Sequence, residues 1–131
     1  MRKPVALAVF LVLTSASSSF AQECLHGASE QAAQRSRREQ ALQTAIKINL
    51  AETVIVGPQT GKPKYRPLEQ LLNVPPTPTG FALRFYTDGS TYAFSLKDTL
   101  DPCHYAIFSD QDKGIYDGTP RTGVRVVPVT Q

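Results

Sequence analysis

Hydrophobic positions along this chain change period from one stretch to the next. The first block is an unbroken apolar run over residues 5–13, preceded by Arg2 and Lys3 and followed by a small polar stretch and Phe20-Ala21. Charge, apolar run and small-residue exit are the three parts of a secretory signal. The run falls short of the roughly 20 apolar residues that a membrane span requires. Ser19 and Ala21 take the minus-three and minus-one positions for cleavage after Ala21, so residues 1–21 read as a signal peptide and residues 22–131 as the mature chain. Lipid attachment at Cys24 is the rival, but Gln22 and Glu23 stand where it wants small residues.

Residues 28–54 contain neither proline nor glycine and are rich in helix formers. Ala41, Leu42, Ala45, Ile46, Ile48, Leu50, Ala51 and Val54 largely follow the three–four spacing of an amphipathic helix. Arg35, Arg37, Arg38 and Glu39 make the first half polar, which predicts a solvated surface there. Ser29 is a candidate cap, and Gly57-Pro58 ends the helix. After a loop to Lys64, Pro67 suits the first position of a short helical turn that presses Leu68, Leu71 and Leu72 inward. Residues 73–80 form a proline-rich extended connection.

From Phe81 the period becomes two. Phe81, Leu83 and Phe85 alternate with polar positions, as do Tyr92, Phe94 and Leu96. The Asp88-Gly89 turn between them predicts an antiparallel hairpin. Residues 103–108 read as a third strand, and Ile115-Tyr116 opens a short fourth. The tail 119–131 reads as an edge strand or a loose end, with Pro128 against a central position. The layout is α+β: one long N-terminal helix packed on a three- to four-stranded antiparallel sheet, within a single domain over residues 22–118.

Composition alters this picture in two places. The chain carries fourteen basic and eleven acidic residues; without Arg2 and Lys3, twelve face eleven. That near-neutral mature chain makes no electrostatic case for nucleic acid. The two cysteines, Cys24 and Cys103, read as a disulfide in an oxidising compartment, with two free thiols as the alternative.

The order of parts resembles the globular head of type IV pilins and of the pseudopilins of type II secretion. The resemblance rests on residues 41–52 of the helix, the segment 64–71, Gly80-Phe81-Ala82-Leu83-Arg84-Phe85 as first strand, and residues 105–116 as final hairpin. It covers roughly residues 41–117 and implies a binding or structural protein whose partner belongs to the cell envelope or a secretion system. The family retains a long apolar N-terminal helix that polymerises; here the apolar run precedes a cleavage-like exit, so no stable membrane span remains after processing.

Chemistry-bearing residues are sparse. Cys24, His26, Cys103 and His104 would form a zinc or copper set only if both thiols stayed reduced, which makes a periplasmic metal-binding protein the alternative reading. Asp110 and Asp112 alternate before Gly114 like the opening of a calcium loop, but Arg121 stands where a bidentate Glu belongs, so an ordinary turn competes. No other cofactor is implied. Asp88, Asp98 and Asp101 sit in turn contexts where aspartate bonds its own backbone. Nucleophile and phosphate-loop motifs are absent, so no catalytic residue is assigned. Tyr86, on the strand face opposite Phe85, together with Arg35, Arg37 and Arg38, are the candidate partner contacts, on a secreted or periplasmic protein.

Overall fold

The computed structural model describes residues 23–55 and 64–129. The signal segment 1–21 and most of the loop after the helix lie outside these residues. The helix α1 spans Ala32–Ile55, and a single 3₁₀ turn spans Leu68–Gln70. Five strands follow: β1 Phe81–Thr87, β2 Tyr92–Asp98, β3 Ala106–Asp110, β4 Tyr116–Thr119 and β5 Gly123–Val126. They pair antiparallel in sequence order, an open meander with β3 at its centre, and α1 lies against β3.

The helix begins later than Ser29 because the chain first turns at Gly27, whose carbonyl accepts the Glu30 amide. Its buried stripe is Ala41, Thr44, Ala45, Ile48, Asn49, Ala51 and Glu52. The small Ala41 and Ala45 let the helix axis approach the sheet closely. Ile48 fills the centre of a core shared with Tyr92, Phe94, Leu96, Ile107 and Ile115. Full burial of one such side chain stabilises by about 1.5–3 kcal/mol. Leu50, by contrast, points away and is exposed.

The 3₁₀ turn is one turn long, so it buries Leu71 and leaves Leu72 in solvent, where the sequence pattern had placed both inside. The β1–β2 turn forms as read: Asp88 Oδ1 accepts the amides of Ser90 and Thr91 at 2.8 and 2.7 Å, and Gly89 takes the left-handed φ of 85°. β3 starts later than residue 103 because Asp101 to His104 close a turn, with His104 at φ 58°. The tail resolves into β5. A Cβ on Gly118 of β4 would collide with the Gly123 carbonyl, so glycine is what allows these two short strands to cross so closely.

The register sorts side chains onto two faces. Leu83, Leu96, Ile107, Asp117 and Arg125 form one row on the helix-covered face. Arg84, Ser95, Phe108, Tyr116 and Val126 form the neighbouring row on the opposite face. Among the described residues, no helix is long and apolar enough to cross a membrane.

Candidate functional site

Cys24 and Cys103 are joined, with their Cα atoms 5.2 Å apart. The bridge holds the segment before α1 against the β2–β3 connection. There Asp101 accepts the Leu25 amide at 2.9 Å and the Tyr105 amide at 2.9 Å. This places His26 in the interior, its ring 4.5 Å from that of Tyr105. Its Nδ1 lies 2.7 Å from Glu30 Oε1 and its Nε2 2.8 Å from Asp98 Oδ2. A carboxylate thus faces each of the two ring nitrogens.

The arginines of the polar helix half complete the network. Arg38 grips Glu30 through Nε and Nη2 at 2.8 and 2.9 Å, and Arg37 Nη2 donates to Asp98 Oδ1 at 3.0 Å. The paired hydrogen bonds from Arg38 pull the Glu30 carboxyl down to about 2. Burial works against the charge on Asp98, but the bonds from His26, the Leu100 amide and Arg37 outweigh it and hold the carboxyl below its ordinary value. Across the cavity, Asp117 accepts Arg125 Nε at 2.6 Å and the Tyr105 hydroxyl at 2.8 Å. Burial likewise opposes its charge and is overcome, chiefly by Arg125. The polar cavity bounded by His26, Glu30, Arg38, Tyr105, Asp117 and Arg125 has a volume of about 450 Å³. Each acid in it already holds a cation, so the arrangement acts as a clamp joining the N-terminal segment, α1 and the sheet.

A second buried polar group sits further along α1. Asn49 receives the Tyr92 hydroxyl at 2.8 Å and donates to Ser109 Oγ at 2.8 Å. One turn on, Glu52 is fully buried. Its Oε2 is 3.4 Å from the Arg66 amide, and its Oε1 has no hydrogen-bond partner among the described residues. Burial raises its pKa above the ordinary 4.5. Stability from this group is therefore full below 4.5 and is lost as pH rises toward the raised value. Glu52→Gln is expected to stabilise the domain at pH 7 by roughly 1–3 kcal/mol, the scale of an ill-satisfied buried polar group. Urea unfolding at pH 5 and pH 8 checks this: the variant's advantage grows with pH, and an equal effect at both values contradicts it.

Of the residues named from sequence as partner contacts, Tyr86 and Arg35 stand in solvent. Arg37 and Arg38 are half-buried and held by Asp98 and Glu30. The thiolate metal set does not assemble. Its two sulfurs are bonded to each other, His26 is enclosed by carboxylates, and His104 is exposed on its own turn. At Asp110 the side chain accepts the Asp112 amide at 3.0 Å and the carbonyl accepts the Lys113 amide at 2.8 Å, the bonding of a hairpin turn. Among the described residues, no group of three or more His, Cys, Asp or Glu side chains is placed to hold a metal ion.

The remaining feature is the sheet face away from α1. Tyr86 is 64% exposed, Val124 62% and Val126 65%. Tyr116 and the half-buried Phe108 join them through the shared row. A shallow groove of about 450 Å³ runs between Tyr86, Phe108 and Tyr116, edged by Arg84 and Asp110. The sequence alternation exposed Tyr86 but not the rest, because Phe108, Tyr116 and Val126 become neighbours only once β3, β4 and β5 are in register. Comparison with protein-family models, curated proteins and solved structures returns no match.

Proposed function

We propose that this protein is an exported, non-catalytic binding domain with a pilin-like head, docking a protein of the cell envelope or of a secretion system. The observation that carries the reading is the uncovered aromatic sheet face of Tyr86, Phe108 and Tyr116 with Val124 and Val126. Tyrosine, phenylalanine and arginine are the residues enriched at the centres of protein interfaces. α1 lies over the opposite face, where Glu30, Asp98 and Asp117 are held by Arg38, Arg37 and Arg125, which favours the bare face as the contact surface. The pilin-like reading draws on the helix-on-meander architecture; the secretory reading draws on residues 1–21 and on the disulfide, which persists in oxidising compartments.

The test compares capture from an envelope fraction by the wild-type domain and by the Tyr86→Ser, Tyr116→Ser double variant. Tyr86 is 64% exposed and Tyr116 36%, so the variant's circular dichroism and unfolding midpoint are compared with the wild type's to show that the fold is kept. A discrete protein retained by the wild type and lost by the variant is the expected result. Equal retention by both, or retention of nothing at high micromolar concentration, overturns the reading.

A further inference from the structure

At the β1–β2 end, the bare face changes character from aromatic to cationic. The register puts Arg84 opposite Ser95 and Lys97 opposite Ala82. The two cations are therefore diagonal neighbours, about 7–8 Å apart on a sheet face. Lys97 has Ala106 on its other side. The residues beside these long side chains are small, which leaves a hollow of about 460 Å³ between them. Thr99 and His104 complete its rim. His104 is exposed on its turn at φ 58°, and its imidazole offers an N–H in either protonation state. Like charges at this spacing repel, and no carboxylate relieves them. Among the described residues, every ion pair runs to Glu30, Asp98 or Asp117, and neither Arg84 nor Lys97 takes part. Asp98 borders the hollow, but its carboxylate is fully buried and held by His26 and Arg37. Asp110, the one acid among the described strand positions of this face, lies in the row of Tyr86 and Ala93. Its side chain accepts an amide of its own turn.

A guanidinium, an ammonium, an imidazole N–H and the Ser95 hydroxyl thus border one hollow. We infer that this hollow binds a phosphate monoester. A single carboxylate balances one of the two cations; a phosphate monoester carries about −1.5 to −2 at pH 7 and balances both. Its oxygens accept paired N–H bonds from a guanidinium, while a lysine adds a point charge. Ser95 stands opposite Phe108, so the organic part of the ester has the aromatic groove of Phe108 and Tyr116 beside it. A second copy of the chain fits worse, because it brings the same two cations with Asp110 as their counter-charge. The inference goes beyond the partner-binding reading and does not depend on it.

The probe is phenyl phosphate, titrated into the protein at fixed ionic strength, with benzoate and oligoglutamate as comparisons. Phenyl phosphate is expected to bind about tenfold more tightly than either, the scale of one further charge-assisted hydrogen bond. The Arg84→Gln, Lys97→Gln variant is expected to lose about tenfold in affinity for it. Both side chains are exposed, and an unchanged unfolding midpoint shows that the variant is folded. Amide NMR shifts of the wild type give a second readout that needs no variant. Phenyl phosphate should move Arg84, Ser95, Lys97 and His104 and leave Lys47 and Arg66, exposed cations outside the hollow, where they are. Undiminished binding by the variant, or shifts spread evenly over all these cations, overturns the proposal. So does benzoate binding as tightly as phenyl phosphate. Oligoglutamate binding as tightly overturns it in favour of an acidic protein segment. Vesicles distinguish the source of the ester. Retention on phosphatidic acid vesicles but not on phosphatidylcholine vesicles, lost in the variant, assigns a lipid headgroup. Binding of phenyl phosphate without vesicle retention assigns a soluble ester. Neither titration involves an envelope protein, so this proposal and the partner-binding reading fail separately.

Discussion

Replacing Cys24 and Cys103 together by serine is expected to lower stability by roughly 4 kcal/mol, the chain-entropy value for a loop of this length. The two cysteines lie 79 residues apart in sequence, so the bridge closes a loop that takes in α1, the 3₁₀ turn, β1 and β2. A small domain of this kind has about 5–15 kcal/mol in total. The loss is also structural: the bridge fixes the segment that carries His26 and Glu30, so the double variant loosens the clamp as well as the chain. Urea unfolding with and without reductant checks this. The wild type should fall to the variant's midpoint once reduced, and the variant should not respond to reductant. A wild type whose midpoint is indifferent to reductant contradicts the bridge's role.

The second large effect is expected at Asp98. This carboxylate is fully buried and accepts bonds from His26, Arg37, the Leu100 amide and, at 3.2 Å, the Asp101 amide. Asp98→Ala strands a guanidinium and two amides, and breaking one partner of a buried ion pair costs about 3–5 kcal/mol. The pH dependence has a definite sign. Glu30, Asp98 and Asp117 are all held below their ordinary carboxyl values. The unfolded chain therefore takes up protons first. The clamp's contribution is full above the ordinary carboxylate range of about 4 and is lost as pH falls toward the folded-state values, about 2 for Glu30. Unfolding midpoints between pH 7 and pH 2 should fall steeply for the wild type and more shallowly for Asp98→Ala. Parallel curves would show that Asp98 does not anchor the network.

Local signals in the sequence were enough for the elements formed by neighbours, the helix through residues 41–54 and the Asp88-Gly89 hairpin, while the pairing of Cys24 with Cys103 followed from there being two cysteines. They were not enough for the clamp. His26 and Asp98 are 72 residues apart, and each alone looks ordinary, one a lone histidine near a cysteine and the other a turn aspartate. The spacing of His26 and Glu30 by one helical turn was the available hint. Arg37 and Arg38 read as solvated because polarity along a helix reports side-chain type, not the buried carboxylates that draw those side chains inward. Thr44, Asn49 and Glu52 blurred the apolar stripe for the same reason: their partners, where present, come from the chain's own carbonyls, β2, β3 and the loop before the 3₁₀ turn. β5 was the weakest reading, since a strand of four residues near Pro128 gains its stability only from β4 beside it.

Tyrosine footprinting addresses the central assignment most directly, because Tyr86 and Tyr116 stand on the bare face and Tyr92 and Tyr105 on the helix side of the sheet. In the isolated domain, Tyr86 and Tyr116 should be modified readily while Tyr92 and Tyr105, both buried, stay protected. Adding a solubilised envelope fraction should shield Tyr86 and Tyr116 and leave the buried pair unchanged. Modification of Tyr92 or Tyr105 in the free protein, or undiminished labelling of Tyr86 and Tyr116 in the presence of that fraction, would contradict a helix-sealed sheet that offers its other face to a partner.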